Sequence, residues 1–111
     1  MSNFCNIPPS DAQEFDVLNA ESTVSINFDD SPAQHIDMAG NVHLELTNGL
    51  SGQAYVIRVE NGGSFTMSFD SNILWPSGTA PTITTGDGSI DLLNFYYDGT
   101  NFYGSFAQDY Q

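Results

Sequence analysis

The sequence contains almost no positive charge. Arg58 is its only basic residue apart from histidine, and fourteen acidic residues give the 111-residue chain a formal net charge of −13. A protein that binds DNA or RNA needs cationic side chains to displace phosphate counterions, and an anionic membrane surface repels so acidic a chain. No apolar run approaches the roughly 20 residues needed to cross a bilayer. We therefore predict neither a nucleic-acid partner nor a membrane partner.

Cysteine is also scarce. Cys5 is the only one, so no disulfide can form within the chain and a cysteine-rich zinc site is excluded. This composition suits assembly in a reducing cytoplasm. The segment Met1–Cys5 has neither a basic region nor an apolar stretch, which predicts no signal peptide. If the protein works outside cells, we expect it to leave by lysis or as part of a particle.

Motifs of catalysis are missing from the sequence. The Gly-x-Ser-x-Gly pattern of hydrolases and the glycine patterns that hold phosphate do not occur. The only two histidines, His35 and His43, do not have the spacing of zinc ligands, so ordinary structural or surface roles are favoured. We predict a protein without enzymatic activity.

Three acidic turns offer the oxygen atoms that calcium prefers: Asp29-Asp30, Asp87-Gly88 and Asp98-Gly99-Thr100-Asn101. None carries the spaced ligands of a dedicated calcium loop. Aspartate and asparagine also close turns through their own side-chain hydrogen bonds, which is the favoured interpretation. We expect no cofactor, with calcium at these turns as the alternative.

Apolar residues alternate with other residues in short runs from Ser22 onward. Turns rich in glycine, asparagine and aspartate separate these runs, as in chains built from short strands. We predict an all-β fold, a single antiparallel β-sandwich or jelly roll of seven to eight strands over residues 22–111. Asn61-Gly62-Gly63 and Asp98-Gly99 are the strongest hairpin signals. Trp75-Pro76 is expected to end a strand, because proline cannot donate a hydrogen bond to a sheet.

Residues 1–21 differ from the rest and predict an N-terminal arm or a short helix. Pro8-Pro9 favours an extended stretch, and Ser10–Gln13 has the pattern of a capping box. In a helix, Phe15 and Leu18 would share one face. Alternatively the segment is an arm that docks on a neighbouring molecule, since three of its apolar residues have no place in a two-layer core: Phe4, Ile7 and Phe15.

Tyrosines alternate with other aromatic residues in the last predicted hairpin. Alternation directs Phe95, Tyr97 and Phe102 to one face and Tyr96 and Tyr103 to the other. Outward tyrosines are typical of a protein interface or of a surface that stacks sugars.

Arg58 has two interpretations. It either pairs with an acid such as Glu45 or Glu60 within the chain, or it binds a carboxylate of another subunit at a subunit contact. Arginine suits both situations.

The stretch Trp75–Thr84, followed by Asp91–Gly104, resembles a module found in virion proteins of tailed bacteriophages. With the preceding strand pair the resemblance covers about residues 40–110. Phe102 departs from it, because such modules often carry tryptophan there. The matching positions are Gly52, Tyr55, Ile57, Val59, Gly62, Trp75, Pro76, Gly78, Pro81, Thr84, Asp91, Phe95, Tyr97, Asp98, Gly99, Thr100, Tyr103 and Gly104.

The resemblance implies a non-enzymatic structural protein located in the virion and assembled in the host cytoplasm. A single sandwich with a short arm lacks the shaft of a fibre, which favours a trimeric capsid decoration, or cement, protein. Its partners would be itself, as a homotrimer, and the major capsid protein or other virion proteins. The alternative is a receptor-binding, tail-fibre or tail-appendage domain that contacts host surface glycans. The candidate subunit or capsid interface consists of Phe4, Ile7, Phe15, Arg58, Trp75, Tyr96, Phe102, Tyr103 and Tyr110.

Overall fold

The computed structural model describes residues 14–111 and shows an all-β chain over that range, which confirms the predicted fold class. A short 3₁₀ turn, Pro76–Gly78, follows Trp75. The seven strands are β1 (Phe15–Asn27), β2 (Ala33–Thr47), β3 (Ala54–Asn61), β4 (Met67–Phe69), β5 (Ile73–Leu74), β6 (Ser89–Tyr97) and β7 (Phe102–Tyr110). As predicted, a strand ends just before Trp75-Pro76.

The strands form one mixed sheet that curls into a half-barrel. Their order is β1-β2-β3-β6-β7-β5, and β4 pairs with β2. Only the pairs β3–β6 and β6–β7 are antiparallel, whereas β1–β2, β2–β3, β2–β4 and β5–β7 are parallel. The prediction of a purely antiparallel sheet is therefore wrong, and a single sandwich or jelly roll is not confirmed.

Bending of β1 explains how two strands joined by a short loop run parallel. Straight parallel neighbours need a crossover of about a dozen residues or more, but only residues 28–32 connect β1 to β2. The register of β1 shifts between Val17 and Ala20 and again between Ala20 and Ser22, and Asn19 and Ser22 both have positive φ. These irregularities bend the strand, so the end of β1 lies close to the start of β2. The two strands therefore pair in parallel instead of forming a hairpin.

The inner face of the half-barrel carries the hydrophobic core. Two pairs of rings stack within it: Phe28 on Tyr55, with centroids 4.0 Å apart, and Tyr97 on Phe102 at 4.2 Å. The strands and, for Ile83, the loop before β6 supply the remaining buried apolar residues, which are Ala20, Ile26, Ile36, Met38, Val42, Leu44, Leu46, Ile57, Val59, Met67, Ile73, Ile83, Leu93 and Phe95.

Trp75 packs against this core beside β7. Its ring makes edge contacts with Phe69, Phe95 and Phe106 at centroid distances of 4.9, 5.8 and 5.9 Å. Gly104 permits this packing, because a side chain at that position would overlap the indole ring. Trp75, which directly follows β5, thus packs against side chains of β4, β6 and β7.

One of the two predicted hairpins is confirmed. The antiparallel pair β6–β7 closes through the turn Asp98–Asn101. The prediction of a hairpin at Asn61-Gly62-Gly63 is wrong, because β4, the strand that follows this turn, pairs with β2 and not with β3. The fully buried Asn61 side chain instead donates to the carbonyl groups of Phe65 and Thr84, which ties this turn to the loop before β6.

The described part of the predicted N-terminal arm belongs to the sheet. Phe15 and Leu18 lie in β1, so the prediction that they share a face of a short helix is wrong. The boundary between residues 21 and 22 falls within the same strand. Phe4, Ile7 and the capping box at residues 10–13 lie outside the described residues.

Candidate binding face

The β6–β7 hairpin divides its aromatic side chains between the two faces of the sheet as alternation predicts. Phe95 and Phe102 are each 2% exposed and lie in the core, whereas Tyr96 is 51% and Tyr103 47% exposed. Tyr96 and Tyr103 are directly paired across the two strands. The outer face of the hairpin therefore presents two neighbouring tyrosines to solvent.

These tyrosines belong to a row of uncharged residues across four strands. Ala54 on β3 pairs with Tyr96, Tyr96 pairs with Tyr103, and Tyr103 pairs with Leu74 on β5. All four side chains are exposed, including Leu74 at 40%. Residues paired across neighbouring strands share a face of the sheet, so the row is continuous.

A second row runs beside the first. Ala33 on β2 pairs with Val56 on β3, Val56 pairs with Asn94 on β6, and Asn94 pairs with Ser105 on β7. Neither row contains an acidic or basic residue, although the chain carries fourteen acids. We call these two rows the uncharged face; its members are Ala33, Ala54, Val56, Leu74, Asn94, Tyr96, Tyr103 and Ser105.

A shallow depression of about 400 Å³ lies at one end of the uncharged face. Small side chains create it where β2, β3 and β6 meet. Its lining consists of Pro32, Ala33, Gln53, Ala54, Tyr55, Val56 and Asn94. Tyr96 stands at its border, because it pairs with Ala54 and follows Asn94 by two residues on the same face.

Asp98 lies in the turn between β6 and β7 and contacts Tyr103 of the uncharged face. Its carboxylate accepts hydrogen bonds from the backbone N–H groups of Thr100 and Asn101, both at 2.8 Å, and from the Tyr103 hydroxyl at 2.8 Å. The backbone bonds from Asn101 and Thr100, followed by the Tyr103 hydroxyl, hold the pKa of Asp98 below its usual value. The hydrogen bond to Asp98 also raises the pKa of Tyr103. The Tyr103 hydroxyl therefore keeps its proton and donates a hydrogen bond to the Asp98 carboxylate.

The next row along the sheet is charged. Asp16, His35 and Arg58 are aligned on β1, β2 and β3. The two ring nitrogens of His35 face Asp16 at 3.0 Å and Glu60 at 3.2 Å. Because carboxylates only accept hydrogen bonds, both contacts are complete only when the ring carries two protons.

Arg58 pairs within the chain, mainly with an acid that the sequence did not suggest. Its Nε and Nη2 atoms donate to the two carboxylate oxygens of Glu14 at 3.0 and 2.8 Å, and Nη1 lies 3.7 Å from Glu60. The hydrogen bonds to Arg58 hold the pKa of Glu14 below its usual value, and those to Glu14 raise the pKa of Arg58. The expected contact with Glu60 is present, whereas Glu45 lies in a different cluster.

Among residues 14–111, two groups of side chains could supply ligands for a metal ion. In each, one histidine and two acids have ligand atoms within 4.8 Å of one another: Glu14, Asp16 and His35, and His43, Glu45 and Asp70. In the second group, His43 Nδ1 is 2.8 Å from the Ser68 hydroxyl, and Nε2 is 3.9 Å from Asp70. Neither group coincides with the acidic turns proposed above for calcium.

Within residues 14–111, the predicted interface residues lie in different parts of the fold. Phe15, Tyr96, Tyr103 and Tyr110 are exposed, whereas Phe102 is in the core. Placing Phe102 at an interface is wrong, because alternation turns it inward with Phe95. Trp75 is partly buried and packs inward, and Arg58 lies in the charged row.

Sequence reasoning missed the other residues of the face: Ala33, Ala54, Val56, Leu74, Asn94 and Ser105. Alternation did contain a signal for two of them, because Asn94 must share the face of Tyr96 and Ser105 that of Tyr103. The small residues of β2 and β3 become neighbours only through strand pairing.

Comparison with protein-family models, with curated protein sequences and with solved structures found no match to this chain. Within residues 14–111, no helix is long and apolar enough to span a membrane. Proposals about function therefore rest on the residues and geometry of the chain itself.

Proposed function

We propose that this chain is a non-enzymatic structural protein of a tailed-bacteriophage virion. In this proposal it is a capsid decoration subunit, assembled in the host cytoplasm, that forms a homotrimer and sits on the major capsid protein or another virion protein. The resemblance carried by Trp75–Thr84 and Asp91–Gly104 supports the proposal. The physical argument for the proposal comes from the uncharged face of the folded chain.

The uncharged face is the observation that carries this proposal. Three copies with a net charge of −13 each repel one another, so a stable contact must keep acidic groups away from the buried surface. The cores of protein interfaces are depleted of charge and enriched in tyrosine. The β7–β5 side of the face has both properties in Tyr103 and Leu74, with the Asp98 carboxylate at its edge held by the Tyr103 hydroxyl, and we assign the subunit contact to that side.

Light scattering coupled to size-exclusion chromatography tests the assignment. The wild-type protein is expected to elute with the mass of a trimer. Tyr103→Glu and Leu74→Glu each place a charge in the proposed contact and should yield monomers, because desolvating an unpaired charge is costly. Thr23→Glu adds the same charge at an exposed position of β1 and should leave the trimer intact.

Two results would contradict the proposal. One is a wild-type protein that is monomeric at tens of micromolar concentration in physiological salt. The other is a trimer that tolerates both charged variants as well as it tolerates Thr23→Glu, which would move the contact elsewhere.

A second candidate function, a receptor-binding or tail-appendage domain that contacts host surface glycans, is favoured by a different observation. The depression beside Tyr96 is concave and polar at its rim, which suits a ligand better than a flat protein partner. This candidate concerns the β2–β3–β6 side of the uncharged face and does not need the subunit contact.

A further inference from the structure

The depression is shallow and open to solvent, and its volume is that of a small-ligand site. Its volume of about 400 Å³ falls within the range of roughly 300–1,000 Å³ that is ordinary for such pockets. Ala33, Ala54 and Val56 give it a small apolar floor on the outer surface of the sheet. A few polar groups above an apolar floor are the usual means by which a pocket orients its ligand.

Asn94 supplies the most available polar group. In the part of the chain that the structure describes, its side-chain amide has no hydrogen-bond partner and is exposed. An amide offers donors and an acceptor side by side, which matches a ligand with adjacent hydroxyl groups. Gln53 adds a second amide; its Nε2 donates to the Ala54 carbonyl at 3.2 Å, so its oxygen remains free to accept.

Tyr96 supplies an aromatic side chain next to the depression, outside the residues that line it. Its ring is half exposed and stands beside Ala54, the residue it pairs with across β3 and β6. A tyrosine presents an apolar ring together with a hydroxyl group. It can therefore cover the C–H face of a sugar ring while its hydroxyl reaches the sugar's oxygen atoms.

Charge decides which class of ligand fits. No charged side chain lines the depression, so an anion would find no cation to pair with and would also meet the field of a protein at −13. A cation would find no carboxylate in the lining. The lining therefore favours a neutral, hydroxyl-rich molecule over either kind of ion.

We propose that the depression binds an uncharged saccharide unit, with Asn94 hydrogen-bonding its hydroxyl groups and Tyr96 stacking on its ring. This inference deepens the second candidate function and is independent of the trimer.

Saturation-transfer NMR on the full-length protein tests it. The probes are uncharged oligosaccharides, a panel that includes maltotetraose, cellotetraose and mannotetraose, compared with the anionic probes sialyllactose and tetragalacturonate. We expect transfer to at least one neutral probe and none to the anionic ones. Asn94→Ala should weaken binding about tenfold, the size expected for lost hydrogen bonds at a site, and Tyr96→Ala should do the same.

Two further variants separate site loss from misfolding. Ala54→Trp fills the depression from an exposed position and should abolish binding while the far-UV circular dichroism spectrum stays unchanged. Thr23→Ala changes an exposed position of β1 outside the uncharged face and should bind as the wild type does.

The proposal is overturned if no neutral probe of the panel binds, or if anionic probes bind equally well. It is also overturned if Asn94→Ala, Tyr96→Ala and Ala54→Trp leave binding unchanged, because the contact then lies elsewhere. The trimer is measured separately by light scattering, so loss of one property does not imply loss of the other.

Discussion

The side-chain amide of Gln34 donates a hydrogen bond to the backbone carbonyl of Asn27, with 2.9 Å between the two atoms. The backbone of Gln34 is at the same time paired with Phe15. Phe15 and Asn27 are the two ends of β1, which would be about 40 Å long if it were straight, yet both contact this one residue. Gln34 is buried, and it also donates to the Ser31 carbonyl at 2.9 Å, so it closes the bend of the first strand.

We expect Gln34→Leu, which keeps the volume but removes the donor, to lower the free energy of unfolding by about 2 kcal/mol. The reason is that two backbone carbonyls lose a buried partner, at a cost of roughly 1–3 kcal/mol. Urea unfolding followed by circular dichroism measures the change. Gln53→Leu, the matched control at an exposed position, should stay within about 0.5 kcal/mol of the wild type. Equal losses in the two variants would contradict a closing role for Gln34.

The bend of β1 also shows where sequence reasoning about the fold reached its limit. Alternation in Tyr55, Ile57 and Val59 identifies a strand and its buried face, because it reports a period of two. That period is the same in parallel and antiparallel pairs, so it carries no information on direction. The direction follows from the backbone at Asn19 and Ser22, two non-glycine residues at positive φ whose types do not demand that conformation.

The candidate site was predictable in part. Alternation correctly sent Tyr96 and Tyr103 outward, because both lie in a regular hairpin closed by a strong turn signal. The depression was not predictable, since Ala33 and Val56 become neighbours only when β2 and β3 pair in parallel. Small apolar residues carry no chemical signal of their own in a sequence.

Arg58 should stabilise the charged row by a modest, salt-dependent amount. Its bidentate pair with Glu14 is about one-third exposed on both sides, and pairs of this kind contribute about 0.5–1 kcal/mol. We expect Arg58→Gln to lower the free energy of unfolding by that amount in dilute buffer and by less in about 1 M salt, where charges are screened within roughly 3 Å. Gln53→Glu makes the same change in net charge away from this row and serves as the control. A loss that does not depend on salt would rule out an electrostatic role.

Gly104 should not accept a side chain. A Cβ atom at this position would overlap the indole ring of Trp75, so Gly104→Ala must displace the tryptophan from its contacts with Phe69, Phe95 and Phe106. Overpacking of this kind costs about 1–3 kcal/mol. Because Trp75 is the only tryptophan, its fluorescence emission should shift to the red in the variant.

Gly63→Ala is the matched control for this substitution. Its added Cβ would meet the Phe65 ring at 3.4 Å, an ordinary contact distance, so both the emission and the stability should stay near those of the wild type. An unchanged emission spectrum in Gly104→Ala would show that the packing of Trp75 does not depend on the glycine.

Asp91 is a buried carboxylate that joins three segments of the chain. It is 1% exposed and accepts hydrogen bonds from the backbone N–H groups of Thr84 at 2.7 Å and Asp109 at 2.9 Å, and from the Gln108 amide at 3.1 Å. Burial by itself would raise the pKa of Asp91. The bonds from Thr84, Asp109 and Gln108 outweigh burial and hold that pKa below its usual value of 3.8.

Because folding lowers the pKa of Asp91, the ionised form of this carboxylate stabilises the folded state. Its contribution is fully present above pH of about 4, the value for an unfolded aspartate, and is lost as the pH falls through the folded-state pKa. We expect Asp91→Asn to lower the free energy of unfolding by about 1–3 kcal/mol at pH 7, because its NH₂ group faces donors instead of accepting from them. In urea unfolding between pH 7 and pH 2, the difference in the free energy of unfolding between Asp91→Asn and the wild type should narrow below pH 4.

Asp87→Asn, an equal change of charge in an exposed loop, should have the same free energy of unfolding as the wild type at neutral pH. A gap for Asp91→Asn that stays constant across this range would mean that packing, and not the carboxylate charge, holds the three segments together.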